Sequence, residues 1–234
     1  MPFTRTIVIG AGGTGGWLIP QLARLLAYHP ATAAWLTVAD GDSFEDHNQT
    51  RQLCGPDQLG MNKAEAVQIA CAQQGLQGVD AFTAYVNRPD ILIFMRRQVP
   101  LLVLAVDNDA TRLAAIEACR LHSGDFFFIS PGNSSAEDPD AAIKGQVLWF
   151  GRLGGTDYGL DPALVFPNIE HPQDAVPREG SCATHAPSAP QLLSANALAA
   201  SLTLAVIQNL LDGSLDPSHS TVFFNGRTFK HTIS

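Results

Sequence analysis

Up to about residue 130 the chain alternates between two textures. Short β-branched apolar runs end in polar or glycine-rich breaks, and each break leads into a segment whose apolar positions recur at helical spacing. The first unit is the sharpest. Thr6-Ile7-Val8-Ile9 predicts a buried parallel strand, Gly10-Ala11-Gly12-Gly13-Thr14-Gly15-Gly16 breaks it, and residues 17–26 predict a helix. Further strands are predicted at 34–39, 79–86, 101–106 and 125–130, and helices at 62–74, 90–98 and 111–122. The run at 101–106 is the most apolar and belongs in the sheet centre. Such alternation predicts an α/β fold, Rossmann-like and doubly wound, with a mainly parallel sheet and right-handed crossovers.

Beyond Pro131 the pattern changes. Residues 132–140 predict a polar loop and residues 146–150 a strand. Residues 151–190 are rich in Gly and Pro with few periodic runs, which predicts a long crossing loop. An Ala/Leu-rich helix is predicted at 191–211, stopped by Gly213. Its small residues Ser194, Ala195, Ala199, Ala200 and Ser201 suit close packing on a sheet or a partner. Residues 222–224 and 228–233 predict a closing antiparallel hairpin around Asn225-Gly226.

Composition narrows the function. A hydrophobic content of 46% in 234 residues suits one large domain. The net charge of −8 argues against nucleic acid as the main partner. The four cysteines form no CxxC pair, so no zinc is expected and a reduced, cytoplasmic setting is. No leader pattern opens the chain and no apolar run has membrane character, so no membrane partner is expected.

The candidate chemistry gathers around the first glycine turn. Gly10, Gly12, Gly13, Thr14 and Gly15 join a strand to a helix, and a helix N-terminus offers free N–H groups to a phosphate. Asp40, at the end of the second strand, stands where dinucleotide folds place the acid that binds ribose, with Asp42 just beyond. Asn48, Arg51 and Gln52 follow in a polar stretch. Lys63 opens a helix against its dipole, which an anion nearby would explain. Asp107-Asn108 stands at the carboxyl end of the central strand, where open α/β sheets bind ligands. Hydride transfer needs no such set of charges, whereas phosphoryl chemistry does, with cations on the phosphates and a carboxylate for Mg²⁺.

Five ordered motifs then carry a family resemblance. They are Gly10-Ala11-Gly12-Gly13-Thr14-Gly15, Asp40-Gly41-Asp42, Asn48-Gln49-Thr50-Arg51-Gln52, Gly60-Met61-Asn62-Lys63-Ala64, and Asp107-Asn108 with Arg112. In this series the chain resembles the ThiF/MoeB group, prokaryotic relatives of ubiquitin-activating enzymes, over nearly its whole length. The resemblance implies a single adenylation domain over 1–234, with a nucleotide-binding half at 1–130. A carrier-binding half follows at 131–234, including the crossing loop at about 151–190. It implies ATP-dependent adenylation of the C-terminal carboxylate of a small ubiquitin-like (β-grasp) or sulfur-carrier protein. Asp40 would bind ribose, Asn48, Arg51 and Lys63 the phosphates, and Asp107 the metal. The expected assembly is a homodimer.

Cys182 lies in the crossing segment with His185 nearby, and relatives use a cysteine there to take the acyl group. An incidental thiol is the alternative. Two family features are missing from the sequence: an N-terminal arginine-bearing extension, for which only Arg5 is nearby, and paired CxxC motifs. The compact form is most similar to the ThiF-like proteins of PRTRC gene systems, whose companions include a ubiquitin-like and a conjugating-enzyme-like protein. Two other readings stay open, a catalytically idle nucleotide-binding subunit and an NAD(P)-dependent oxidoreductase. Thermal unfolding separates the last from adenylation. ATP with Mg²⁺ should raise the melting temperature while NAD does not, and the reverse would favour the oxidoreductase.

Overall fold

The computed structural model describes residues 3–30, 35–133, 143–177, 192–228 and 230–233. Its centre is the predicted parallel sheet. Strands β1 (Arg5–Ile9), β2 (Leu36–Ala39), β3 (Val79–Phe82), β4 (Pro100–Leu104) and β5 (Phe126–Asn133) lie in the order β3-β2-β1-β4-β5, all parallel. The strand order reverses between β1 and β4, so their carboxyl ends flank the crevice of a doubly wound sheet. The antiparallel half adds β6 (Lys144–Leu153), β7 (Thr156–Gly159), β8 (Thr221–Asn225) and β9 (Lys230–Ile233).

Helices cover both faces. Side chains alternate across a strand, so β4 sends Leu101 and Val103 to one face and Leu102 and Leu104 to the other. The first face packs on α1 (Gly13–Tyr28), α2 (Lys63–Gln73) and the last helix. The second packs on α3 (Arg88–Met95) and α4 (Asp109–Leu121), through Ile91, Met95 and Ile116. Cys71 and Cys119 are buried in these layers, whereas Cys54 is half-buried.

Several boundaries differ from the sequence reading. The third strand stops at Phe82. The helix after it starts at Arg88, because the Asn87 side chain accepts the Asp90 N–H and Pro89 fits the first turn. Residues 151–177 are not an open loop. β6 runs on to Leu153 and turns through Gly154 and Gly155, both at positive φ, into β7. The helical turn α5 (Pro162–Val165) and a tight turn at Pro167–Glu170 follow. This stretch is strapped along α4 by Arg120, which pairs with Asp161 at 2.7 Å and Glu170 at 2.6 Å. The final hairpin spans four residues rather than two. The Asn225 side chain accepts the N–H groups of Arg227 and Thr228, so it organises a wider turn.

The long helix α6 (Leu193–Leu211) ends as expected, with Gly213 at φ +70°. Ala195, Ala199 and Ala200 are buried, and their small size lets α6 lie close over α1, β5 and β6. Ser194 and Ser201 point outward.

Candidate nucleotide site

Absent side chains shape the turn between β1 and α1. Gly10 has φ +96°, and a Cβ there would sit 2.5 Å from the Ala105 carbonyl oxygen on the neighbouring strand. A Cβ on Gly15 would collide with the Gly10 carbonyl oxygen, so α1 approaches the turn only because Gly15 is bare. The first turn of α1 carries no side-chain cap, and its N–H groups, at the crevice end of the helix, are not taken up by helix bonds. This is the arrangement a phosphate needs.

Asp40 ties β2 to the turn. Its Oδ2 accepts the Ala11 N–H at 2.6 Å and its Oδ1 accepts the Asp42 N–H at 2.9 Å. Burial pushes the Asp40 carboxyl above the usual carboxylate range, with Asp42 adding repulsion, although Lys63 and the two N–H groups pull the other way. The residue itself is half-buried, so a face of it remains open at the strand end.

Lys63 begins α2 with its side chain only 9% exposed. Its Nζ meets Asp42 Oδ2 at 3.1 Å, and the Tyr85 hydroxyl donates to the other Asp42 oxygen. The anion that the helix-start lysine called for is thus present as Asp42. Asn62 fixes this corner. Its oxygen accepts the Ala64 and Glu65 N–H groups, while its amide donates to the Asp40 and Asp42 carbonyls.

The Asn48–Gln52 stretch reaches the turn from the other side. Gln52 is 7% exposed, and its amide lies where a Cβ on Gly12 would be 3.7 Å from Nε2. Its Oε1 is buried without a hydrogen-bond partner, which leaves polar capacity beside the glycines. Asn48 is buried and its oxygen accepts the Glu45 N–H at 2.9 Å, so at least half of its amide serves the loop itself. Among the described residues the Arg51 guanidinium meets no carboxylate or other acceptor.

Asp107 stands exposed just past β4. Its neighbour Val106 packs on Gly10, and the Val106 carbonyl accepts from Arg112, which also bonds Ser130 and Asp109. Arg112 therefore anchors the segment that carries Asp107. The helix cap of α4 is Asn108, whose oxygen accepts the Thr111 N–H at 2.8 Å, so that oxygen is not directed at a ligand. No group of three His, Cys, Asp or Glu side chains stands together among the described residues. A lone exposed carboxylate fits Mg²⁺ that arrives on nucleotide phosphates, since Mg²⁺ keeps waters and takes few protein ligands.

Two residues at this site escaped the sequence reading. Asn196 on α6 is 0% exposed and touches Gly13, Thr14, Arg51 and Asn133. The one signal for it was an asparagine inside an Ala/Leu-rich helix. Asp174 accepts the N–H groups of Asp109 and Ala110, each at 2.8 Å, and ties the crossing segment to the start of α4. Nothing local in the sequence marked it. Cys182 and His185 lie outside the described residues.

The profile of the ThiF family matches residues 2–210, and the chain belongs to that family. No curated relative matches it in sequence. Among solved structures it is similar to Escherichia coli MccB with ATP, at TM-score 0.66 and 15% identity, covering 99% of this chain and 63% of that one. MccB in complex with N-formylated MccA, described as a microcin C7 biosynthetic enzyme, gives 0.64 and 15%, covering 99% and 64%. PaaA gives 0.65 and 17%, covering 99% and 63%. The chain thus spans under two thirds of the length of these neighbours, and at such identities they share its fold.

The Lys63–Asp42 pair makes a testable asymmetry. Asp42→Asn should destabilise the fold by about 1–3 kcal/mol, because it strands a buried ammonium. Lys63→Met, which removes that charge and keeps the chain volume, should cost clearly less. Urea unfolding of both variants checks the order, and equal losses would contradict it.

Proposed function

We propose that the protein activates a carboxylate by adenylation with ATP. The observation that carries this reading is the binding of two cation-bearing segments to one glycine turn. Arg51 is joined to it through Asn196, and Lys63 through Asp42 and Asp40. The uncapped start of α1 would take phosphate oxygens, and Asp40 the ribose hydroxyls. Arg51 and Lys63 would hold the charge that grows as a carboxylate oxygen bonds the α-phosphorus and the bond to pyrophosphate breaks. Lys63 would do so by exchanging part of its contact with Asp42 for phosphate. Asp107 would hold Mg²⁺, which supplies further charge neutralisation when bound. The products are an acyl-adenylate and pyrophosphate, and no protein nucleophile is needed for this step.

The family membership supports this reading, as do neighbours solved with ATP and with N-formylated MccA. For the acyl donor we propose the C-terminus of a small β-grasp carrier. It would lie over the antiparallel half, beside the cavity between α4 and β5–β6 lined by Arg112, Ser130, Gly132, Gln146 and Phe166. Capture of the acyl group by the Cys182 thiolate, with AMP leaving, would follow. A homodimer completes the proposal, and the outward Ser194, Ser201 and Ala205 leave a close-packing face for a second copy.

Carrier-dependent exchange of labelled pyrophosphate into ATP tests the reaction. Arg51→Ala should lower the exchange rate about 100-fold or more, in the range for loss of one transition-state charge contact. ATP binding without exchange for any β-grasp partner would overturn the reading.

A further inference from the structure

The first turn of α6 holds a fully buried amide whose hydrogen bonds all run to other elements. Asn196 Oδ1 accepts from the Thr14 hydroxyl at 3.2 Å and from Asn133 Nδ2 at 2.7 Å, and Asn196 Nδ2 donates to the Arg51 carbonyl at 3.3 Å. The orientation is forced. A backbone carbonyl only accepts, so the nitrogen must face Arg51 and the oxygen must face the two donors. The contact with the turn is also steric, because a Cβ on Gly13 would collide with the Asn196 amide. Gly13 is therefore bare to admit Asn196, and Asn196 meets consecutive residues of the turn on one side and the Arg51 backbone on the other.

We infer that Asn196 is a positioning residue that sets the Arg51 side chain against the phosphate-binding turn. The inference rests on the adenylation reading. Arg51 follows a short helical turn, Asp46–Asn48, and its guanidinium finds no partner among the described residues. The bond from Asn196 ties the Arg51 backbone, already held by its own N–H to the Asn48 carbonyl, to the side chain that also meets Thr14, so the cation is carried from a point anchored beside the turn. An unoriented cation loses much of its worth in catalysis, since preorganisation supplies the stabilisation. Because Asn196 also holds Asn133 at the end of β5, the nucleotide half and the antiparallel half meet at one side chain. A shift of the α6 start would move Arg51 relative to the turn.

Calorimetric titration with ATP and Mg²⁺ on four chains tests this: wild type, Asn196→Leu, Arg51→Ala and the double variant. Asn196→Leu is uncharged and of similar volume, and should weaken ATP about ten-fold. If Asn196 acts through Arg51, the double variant should lose clearly less than the product of the two single losses. A purely structural asparagine gives losses that multiply. Should the leucine variant fail to fold, Asn196→Ser, which keeps one hydroxyl for these partners, gives the same comparison. Multiplying losses, or wild-type affinity in the Asn196 variant, overturn the inference and leave adenylation standing. A wild-type chain that does not bind ATP removes both.

Discussion

Everything at this site depends on a close approach between backbones. The carbonyl end of β1 meets that of β4 with no side chain between them, because Gly10 takes a left-handed conformation against Ala105. The start of α1 then comes down on the Gly10 carbonyl because Gly15 has no Cβ. A methyl group at either place would push the helix off the strand end, and the free N–H groups of α1 would no longer face the crevice. The dense parallel sheet beneath, with Ile7, Val8, Leu102 and Val103 fully buried, is the rigid base that keeps the approach this tight.

Around that base the polar groups are arranged in pairs that satisfy one another. Asp40 holds the turn, Asp42 holds Lys63, and Asn62 holds both acids' backbones. Asn196 binds the opposite side. In a chain of net charge −8, such local pairing confines cations to where they are useful. Among the described residues this leaves the Arg51 guanidinium and Gln52 Oε1 without partners, and Gln52 lies against Gly12. An anionic ligand would complete the bare helix start and the guanidinium, while Gln52 Oε1 is an acceptor and calls for a donor such as a hydroxyl.

The parallel half was legible in sequence because its signals are local: a β-branched run, a glycine break and an amphipathic helix repeat in register. The places of Asp40 and Asp107 just past strand ends were legible for the same reason. The antiparallel half was less so. The β7 hairpin rests on Gly154 and Gly155, which in sequence merge into a glycine-rich stretch. The strapping of 161–174 onto α4 depends on Arg120 and Asp174 meeting partners 41 to 65 residues away. Asn196 was hidden because its partners lie 63 to 182 residues off. Lys63 shows the converse. Its position pointed away from a structural explanation, whereas the fold itself supplies the counter-charge in Asp42.

Amide hydrogen exchange with and without ATP and Mg²⁺ is the most direct test of the central claim that the glycine turn receives the phosphates. Bound nucleotide should slow exchange in the peptide spanning residues 10–17 and in those covering 48–63, where the turn and its two cationic flanks lie. Unchanged exchange at residues 10–17 under saturating ATP would contradict the account.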